Sequence, residues 1–410
     1  MGETKKELEL ELESNIKGDI SNKTKMTSFS LFALGFRPFF FFAAILSVFI
    51  MSLSLVQFSG KFVLTNYYTS VSWHAHEMLF GYTVAVIAGF LFTAVGNWTG
   101  IKVIAGWQLI LVSIVFLLGR TLVFVPDISH WLIALIDFIF IPLVTLIISV
   151  PIIRAKQWSN LIFIPLLLLM AVANLFVHLS VLGVVSIPVT TGSRGMLYLV
   201  VLLIVIMAGR VIPFFTDKAI KGATTNKWPW IERLSPISIL FLLVADIVYD
   251  EQIIAAYLAL LALVIHGVRL SGWYSTDIWK VPLVWVLHVA YSWFIFGFLI
   301  QSLAIIGFSN SYYSYHALTV GGIAGMTLGM MVRVSIGHTG RDMKVDNWLV
   351  LSFILLNVAA LIRVILPLFF QVNYNYLIQV AGVFWIVSFT IFVVKFIPIW
   401  IRPRVDGREG

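Results

Sequence analysis

Apolar runs of roughly 20 residues, the length that crosses about 30 Å of hydrocarbon, recur from Leu31 to Trp400, and short loops holding Arg, Lys, Asp, Pro or Gly divide them. Twelve runs are read, near 32–57, 75–96, 104–125, 129–153, 158–183, 194–215, 234–250, 252–270, 282–307, 315–334, 347–368 and 376–400. The seventh and eighth are short, and only Asp250 and Glu251 part them. A chain that is 60% hydrophobic and 11% charged, with a mean hydropathy of +1.00, is excluded from the soluble globular class. The expected fold is an all-α integral membrane protein of about twelve transmembrane helices.

The first 26 residues, MGETKKELELELESNIKGDISNKTKM, are charged and contain no apolar h-region, so no cleavable signal peptide is read there. They are expected to form a disordered cytoplasmic tail, with 27–402 a single membrane domain and 403–410 a second cytoplasmic tail. The net charge of +8 would suit an anionic partner, but topology accounts for it. With the N-terminus inside, the tail carries five Lys, and the even-numbered connections and C-terminus carry sixteen Lys and Arg from Lys102 to Arg408. The opposite side has only Lys61, Arg120 and Arg194. The positive-inside rule then places both ends in the cytoplasm and leaves nucleic acid without support as a partner. The absence of cysteine excludes disulfides, thiolate metal sites and iron–sulfur clusters.

All eight histidines lie in or beside the apolar runs. In this orientation His74, His76, His130, His178 and His316 gather on the external side from four separate runs, while His266, His288 and His338 lie toward the cytoplasmic face. A single histidine there reads equally well as an interfacial residue with a wet tip. Ionisable groups at membrane depth are costly and mark function by default, imidazole is the commonest metal ligand, and bundles build metal sites from facing helices. His288 is buried by about two turns and is a further metal candidate.

Sliding residues 76–100 by 240 positions onto 316–340 aligns His76 with His316, Gly81 with Gly321, Gly89 with Gly329, Thr99 with Thr339 and Gly100 with Gly340. Ala85 with Gly325 completes a small-residue stripe in both runs, which lets backbones approach closely. Runs two and ten are thus expected to be related, parallel helices with a histidine at one depth. Haem iron held by two imidazoles, His76 and His316, fits such a pair. Arg363 and Arg120 are the candidate partners for its propionates, although snorkelling to the headgroups is the simpler account of Arg120. His74 and His76 are about 200° apart on an ideal helix, so one can serve haem and the other a second metal. Copper suits a cysteine-free, imidazole-rich site, with His74 and His178 as candidate ligands.

The segments FALGFRPFF (32–40), WHAHEMLFGY (73–82), AGFLFTAVGNWTG (88–100), ANLFVHL (173–179), GRVIPFFT (209–216), WVLHVAYSW (285–293) and HALTVGGIAGMTLGMMVRVSIGHTGR (316–341) resemble the NnrS family of polytopic membrane proteins. That resemblance implies binding of haem, of b type, and of copper, in the bacterial response to nitric oxide and nitrosative stress. The expected location is a bacterial inner membrane, in contact with lipid, and a quinol or other electron donor is the expected further partner. Gly96 departs from the proline expected in the family's pattern. A remoter likeness is to the catalytic subunit of haem–copper oxidases and nitric oxide reductases, a fold of three related four-helix units. There, runs two and ten supply the axial haem ligands, which again maps onto His76 and His316. Runs six and seven lack the histidines of that family's second metal centre.

The first functional reading is a haem and copper protein acting on nitric oxide or protecting against it, which includes a haem–copper-type oxidoreductase. The alternatives are a secondary transporter, since twelve spans with internal relatedness describe many carriers, and a non-catalytic haem-based sensor. Arg37, Arg210, Asp217, Arg333, His338 and Arg341 form a polar set toward the cytoplasmic side, read as anchoring and helix capping, with an anion or electron-donor site as the alternative.

Overall fold

A computed structural model describes residues 29–60, 67–249, 252–308, 311–370 and 374–408. The charged segment 1–26 lies outside the described residues. Among the described residues the regular structure is helical: α1 Phe36–Phe58, α2 Ser70–Thr99, α3 Trp107–Phe124, α4 His130–Arg154, α5 Trp158–Val181, α6 Val189–Ala219, α7 Pro229–Val244 continued by Ala245–Tyr249, α8 Gln252–Trp273, α9 Pro282–Ile306, α10 Tyr312–Gly337, α11 Asn347–Phe369 and α12 Tyr374–Ile401. Eleven of them are long and apolar enough to cross a membrane. The remaining one, α7, carries Glu232 and Arg233 in its first turns and Asp246 near its end.

Local chemistry sets the ends. Thr69 caps α2 by accepting the Ser72 N–H at 3.2 Å, and Gly100, at φ +69°, closes it in the left-handed region that favours glycine. Proline opens α7 and α9, where its missing N–H costs nothing.

Apart from α2 and α3, consecutive helices pack side by side, and α12 returns to pack along α1, closing the bundle. The Ser30 N–H donates to the Ile401 carbonyl at 2.9 Å, so both described ends lie at one end of the molecule. Every fourth helix occupies the centre: in α2, α6 and α10, 78–83% of the apolar window is buried, against 33–67% in the other membrane-length helices.

The 240-residue relation is visible in the backbone. Both α2 and α10 widen from α-helix to π-helix immediately after their aligned histidines, over Glu77–Thr83 and Ala317–Ile323, and then resume α geometry. In α10 the small-residue stripe meets α9, with Gly321 against Trp293, Gly325 against Ala290 and Gly329 against Val286. In α2, Gly89 meets Phe39 and Phe40 of α1, the corresponding preceding helix.

Candidate functional site

Away from the termini, α2, α10 and α11 enclose a cavity of about 320 Å³, with α1, α6 and α12 completing its wall. His74 and His316 both line it, together with Arg194 and Arg363. The hydrogen bonds assign each ring one tautomer. Ser54 Oγ donates to the Ile50 carbonyl at 2.7 Å and therefore accepts from His74 Nδ1–H at 2.8 Å. His316 Nδ1–H donates to the Tyr312 carbonyl at 2.8 Å. Both histidines thus keep a lone pair on Nε2, the condition in which a metal ligand is held by its outer partner.

Arg363 belongs to a third π segment, Leu361–Ile365. Its Nη2 donates to His316 Nε2 at 3.2 Å and to Tyr312 Oη at 2.7 Å, and its Nη1 to Tyr374 Oη at 2.8 Å. Arg194 pairs with Asp246 at 3.5 Å, and Asp246 lies on a fourth π segment, Ala245–Tyr249, and accepts the Tyr315 hydroxyl at 3.0 Å. Tyr315 also lines the cavity. All four π segments therefore contribute wall residues or their direct partners. The extra residue per turn re-aims side chains locally, which is why such segments concentrate at functional sites.

On the other side of α2 lies a second, buried polar cluster. His76, Asp137 of α4 and His178 of α5 each offer a ligand atom, all within 4.8 Å of one another. Asp137 Oδ2 is 2.8 Å from His178 Nε2, 3.1 Å from His76 Nε2 and 3.3 Å from Asn174 Nδ2. His76 Nδ1 faces Glu77 Oε1 at 3.1 Å. Arg120 donates to Glu77 at 2.9 Å and pairs with Asp137. Gly81 and Gly119 leave room for the carboxylates: a Cβ on the first would lie 2.9 Å from Glu77 Oε2, and on the second 3.0 Å from Asp137 Oδ1. Two carboxylates against one guanidinium leave a net negative charge, which a cation or a proton on His76 balances. Outside the spans, burial raises the Tyr67 and Tyr68 hydroxyls above the usual tyrosine range, so both stay protonated. Tyr67 is hydrogen-bonded to His178 Nδ1 at 2.8 Å, and Tyr68 stacks on His76.

A family model described as NnrS protein matches residues 30–404. The chain belongs to the NnrS family. It is accordingly a multi-pass membrane protein of the nitric oxide response. No protein among the curated ones matches it.

In this NnrS chain His74 lines the cavity that His316 lines, while His76, the expected companion of His316, lies beside Asp137 and His178. The repeat explains the change. His76 is joined through Glu77 to Arg120 of α3, just as His316 is bonded to Arg363 of α11. Residues related by the repeat thus lie in different pockets, each linked to an arginine of the following helix. Arg120, expected at a propionate, is held by Glu77 and Asp137. His178 joins His76, away from the cavity that His74 lines. His288 is remote from both sites in its contacts, its ring nitrogens 3.0 Å from the Val284 carbonyl and 3.2 Å from that of Trp273. His130 is exposed, packing edge-on against Tyr67.

Toward the termini, Arg37 donates to the carbonyls of Ile399, Trp400 and Arg402, Arg210 to Asn160 and Ser159, and the Arg333 guanidinium lies over Phe215. Asp217 accepts from Thr225, and His338 lies 3.5 Å from Asn97. These contacts agree with anchoring and capping.

Sequence reasoning does not reach Asp137, Asn174 or Arg194 as site residues. For Asp137 a signal existed: it is a lone carboxylate two turns inside an apolar run.

Proposed function

We propose that this protein binds haem between His74 and His316 and a transition metal, copper, at His76, Asp137 and His178, and that the pair of sites acts on nitric oxide. The observation carrying the reading is the matched tautomer of His74 and His316: two imidazoles on one cavity, each with its Nδ1 proton spent on a neighbour. Arg363 and Arg194 supply cations for two propionates, and the rest of the wall is mostly apolar and aromatic, including Met78, Leu79 and Trp385. The donor set therefore fits haem. Bound there, haem supplies one-electron chemistry and an iron centre with affinity for nitric oxide.

The chain's own part is positioning. Ser54 and the Tyr312 carbonyl orient the imidazoles, and Arg363, held beside His316 Nε2 at 3.2 Å, would place a cation where a carboxylate of the bound group could meet it. At the second site, two imidazoles and one carboxylate make a mixed nitrogen and oxygen donor set suited to copper(II) more than to copper(I). With the basic loops in the cytoplasm, both sites lie toward the outer leaflet of a bacterial inner membrane, where an apolar gas arrives through lipid and a quinol is a natural donor.

An optical spectrum with metal analysis tests the reading. A Soret band is expected in the wild type, lost in His74→Ala and His316→Ala and retained in His76→Ala, which loses copper instead. A colourless, metal-free protein, or a band that survives in both of the first two variants, overturns it.

A further inference from the structure

We propose that a second cavity, on the axis between α2, α6 and α10, binds a small apolar molecule and feeds it to the histidine-lined cavity. The void measures about 60 Å³. Its walls repeat the internal relation of the chain: Val86, Ile87 and Phe90 of α2 face it, and so do Met326, Thr327 and Met330 of α10, each 240 positions later. The third side is α6, through a face that includes Met207 and Ala208. Two related rods and a third that meet around one axis touch pairwise and leave a gap between them.

The void is largely apolar. Thr83 and Thr327 are the hydroxyl-bearing residues of its wall, and the structure commits the proton of each. Thr83 Oγ1 donates to the Met78 carbonyl at 2.8 Å, and Thr327 Oγ1 to that of Ile323 at 2.7 Å while it is hydrogen-bonded to Tyr82 Oη at 2.7 Å. A water needs two to four polar partners, and these walls offer it only the acceptor lone pairs of two threonine oxygens. Apolar pockets with so few polar partners admit xenon or small hydrocarbons, and uncharged diatomic gases share that chemistry.

The two cavities meet at one place. Thr83 lines both, and Tyr82, which lines the histidine cavity, is bonded to Thr327, which lines the void. The Tyr82–Thr327 hydrogen bond is the threshold between them. Xenon binding in the void is independent of the haem reading; delivery to the histidine cavity rests on it.

The experiment has two arms. In the first, the purified protein is exposed to xenon under pressure, whether or not it carries haem, and the gas is located by its density or by ¹²⁹Xe resonance. Xenon between α2, α6 and α10, abolished by Ala208→Phe, is expected; water or no xenon in the wild-type void overturns the site. In the second, carbon monoxide is flashed from the reduced haem-loaded protein. Ala208→Phe is expected to slow rebinding at least threefold with the Soret band unmoved, and an unchanged rate overturns the delivery route. A colourless protein defeats the haem reading and leaves the xenon arm decisive for the site.

Discussion

His74 and His76 leave one turn of α2 in opposite directions. His74 is bonded to Ser54 and borders the cavity that holds His316, while His76 turns to Asp137 and His178. One short stretch of helix therefore faces two pockets, and substitutions two residues apart are expected to give separate losses.

Ser54 is fully buried and fixes the His74 tautomer. Outer partners of this kind are worth about 10- to 100-fold in ligand affinity. Ser54→Ala is expected to weaken haem retention by that factor with little change in fold, checked by titrating haem into the apoprotein. Ser54→Thr keeps the hydroxyl and is expected to restore most of it.

Asp137 balances Arg120 in a buried setting. Asp137→Ala removes that partner and leaves Glu77 as the only carboxylate on the guanidinium. Breaking a buried pair costs about 3–5 kcal/mol, so the variant is expected to unfold at a markedly lower temperature in detergent and to lose its metal. His178→Ala is expected to lose the metal with a smaller thermal shift, since Asp137 keeps Arg120 and Asn174 as donors.

Gly81→Ala and Gly119→Ala place a methyl against Glu77 and Asp137. Each is expected to lower copper content and leave the Soret band in place, because the displaced carboxylates belong to the second site alone. Loss of both signals together would show that the sites are not separable.

Asp346 caps α11, accepting the Leu349 N–H at 3.1 Å, and pairs with Lys395 at 2.5 Å. Burial pushes its carboxyl up, but the Lys395 and Leu349 hydrogen bonds outweigh that and hold it below the usual range. A depressed carboxyl stabilises the fold above its unfolded value of about 3.9, and the contribution is lost as pH falls through the folded value. Asp346→Ala is expected to cost about 1 kcal/mol at pH 7 and to become indistinguishable from the wild type in strong acid, as followed by thermal unfolding across pH.

The spans were legible because hydrocarbon thickness fixes their length. The run expected at 347–368 is Asn347–Phe369, and that at 282–307 is Pro282–Ile306. The run expected from 234 starts at Pro229, because Glu232 is accommodated inside the helix by pairing with Arg269 of α8. The 240-residue register was legible too, and its two π segments coincide to the residue. What the register could not supply was azimuth. With α2 surrounded by protein, its apolar pattern has no preferred face, and the π segment changes the rotation per residue directly after His76. A relation by rotation about an axis also sends equivalent histidines to different pockets, so similarity between His76 and His316 argued against their meeting.

Arg37, fully buried near the start of the first helix, finds three of its acceptors in the carbonyls of Ile399, Trp400 and Arg402. Those acceptors lie 362 to 365 positions further along the chain. The first helix must wait in the bilayer until α12 has been synthesised before this latch can shut, so interruption of synthesis ahead of residue 399 is a route to an unlatched, degradable protein.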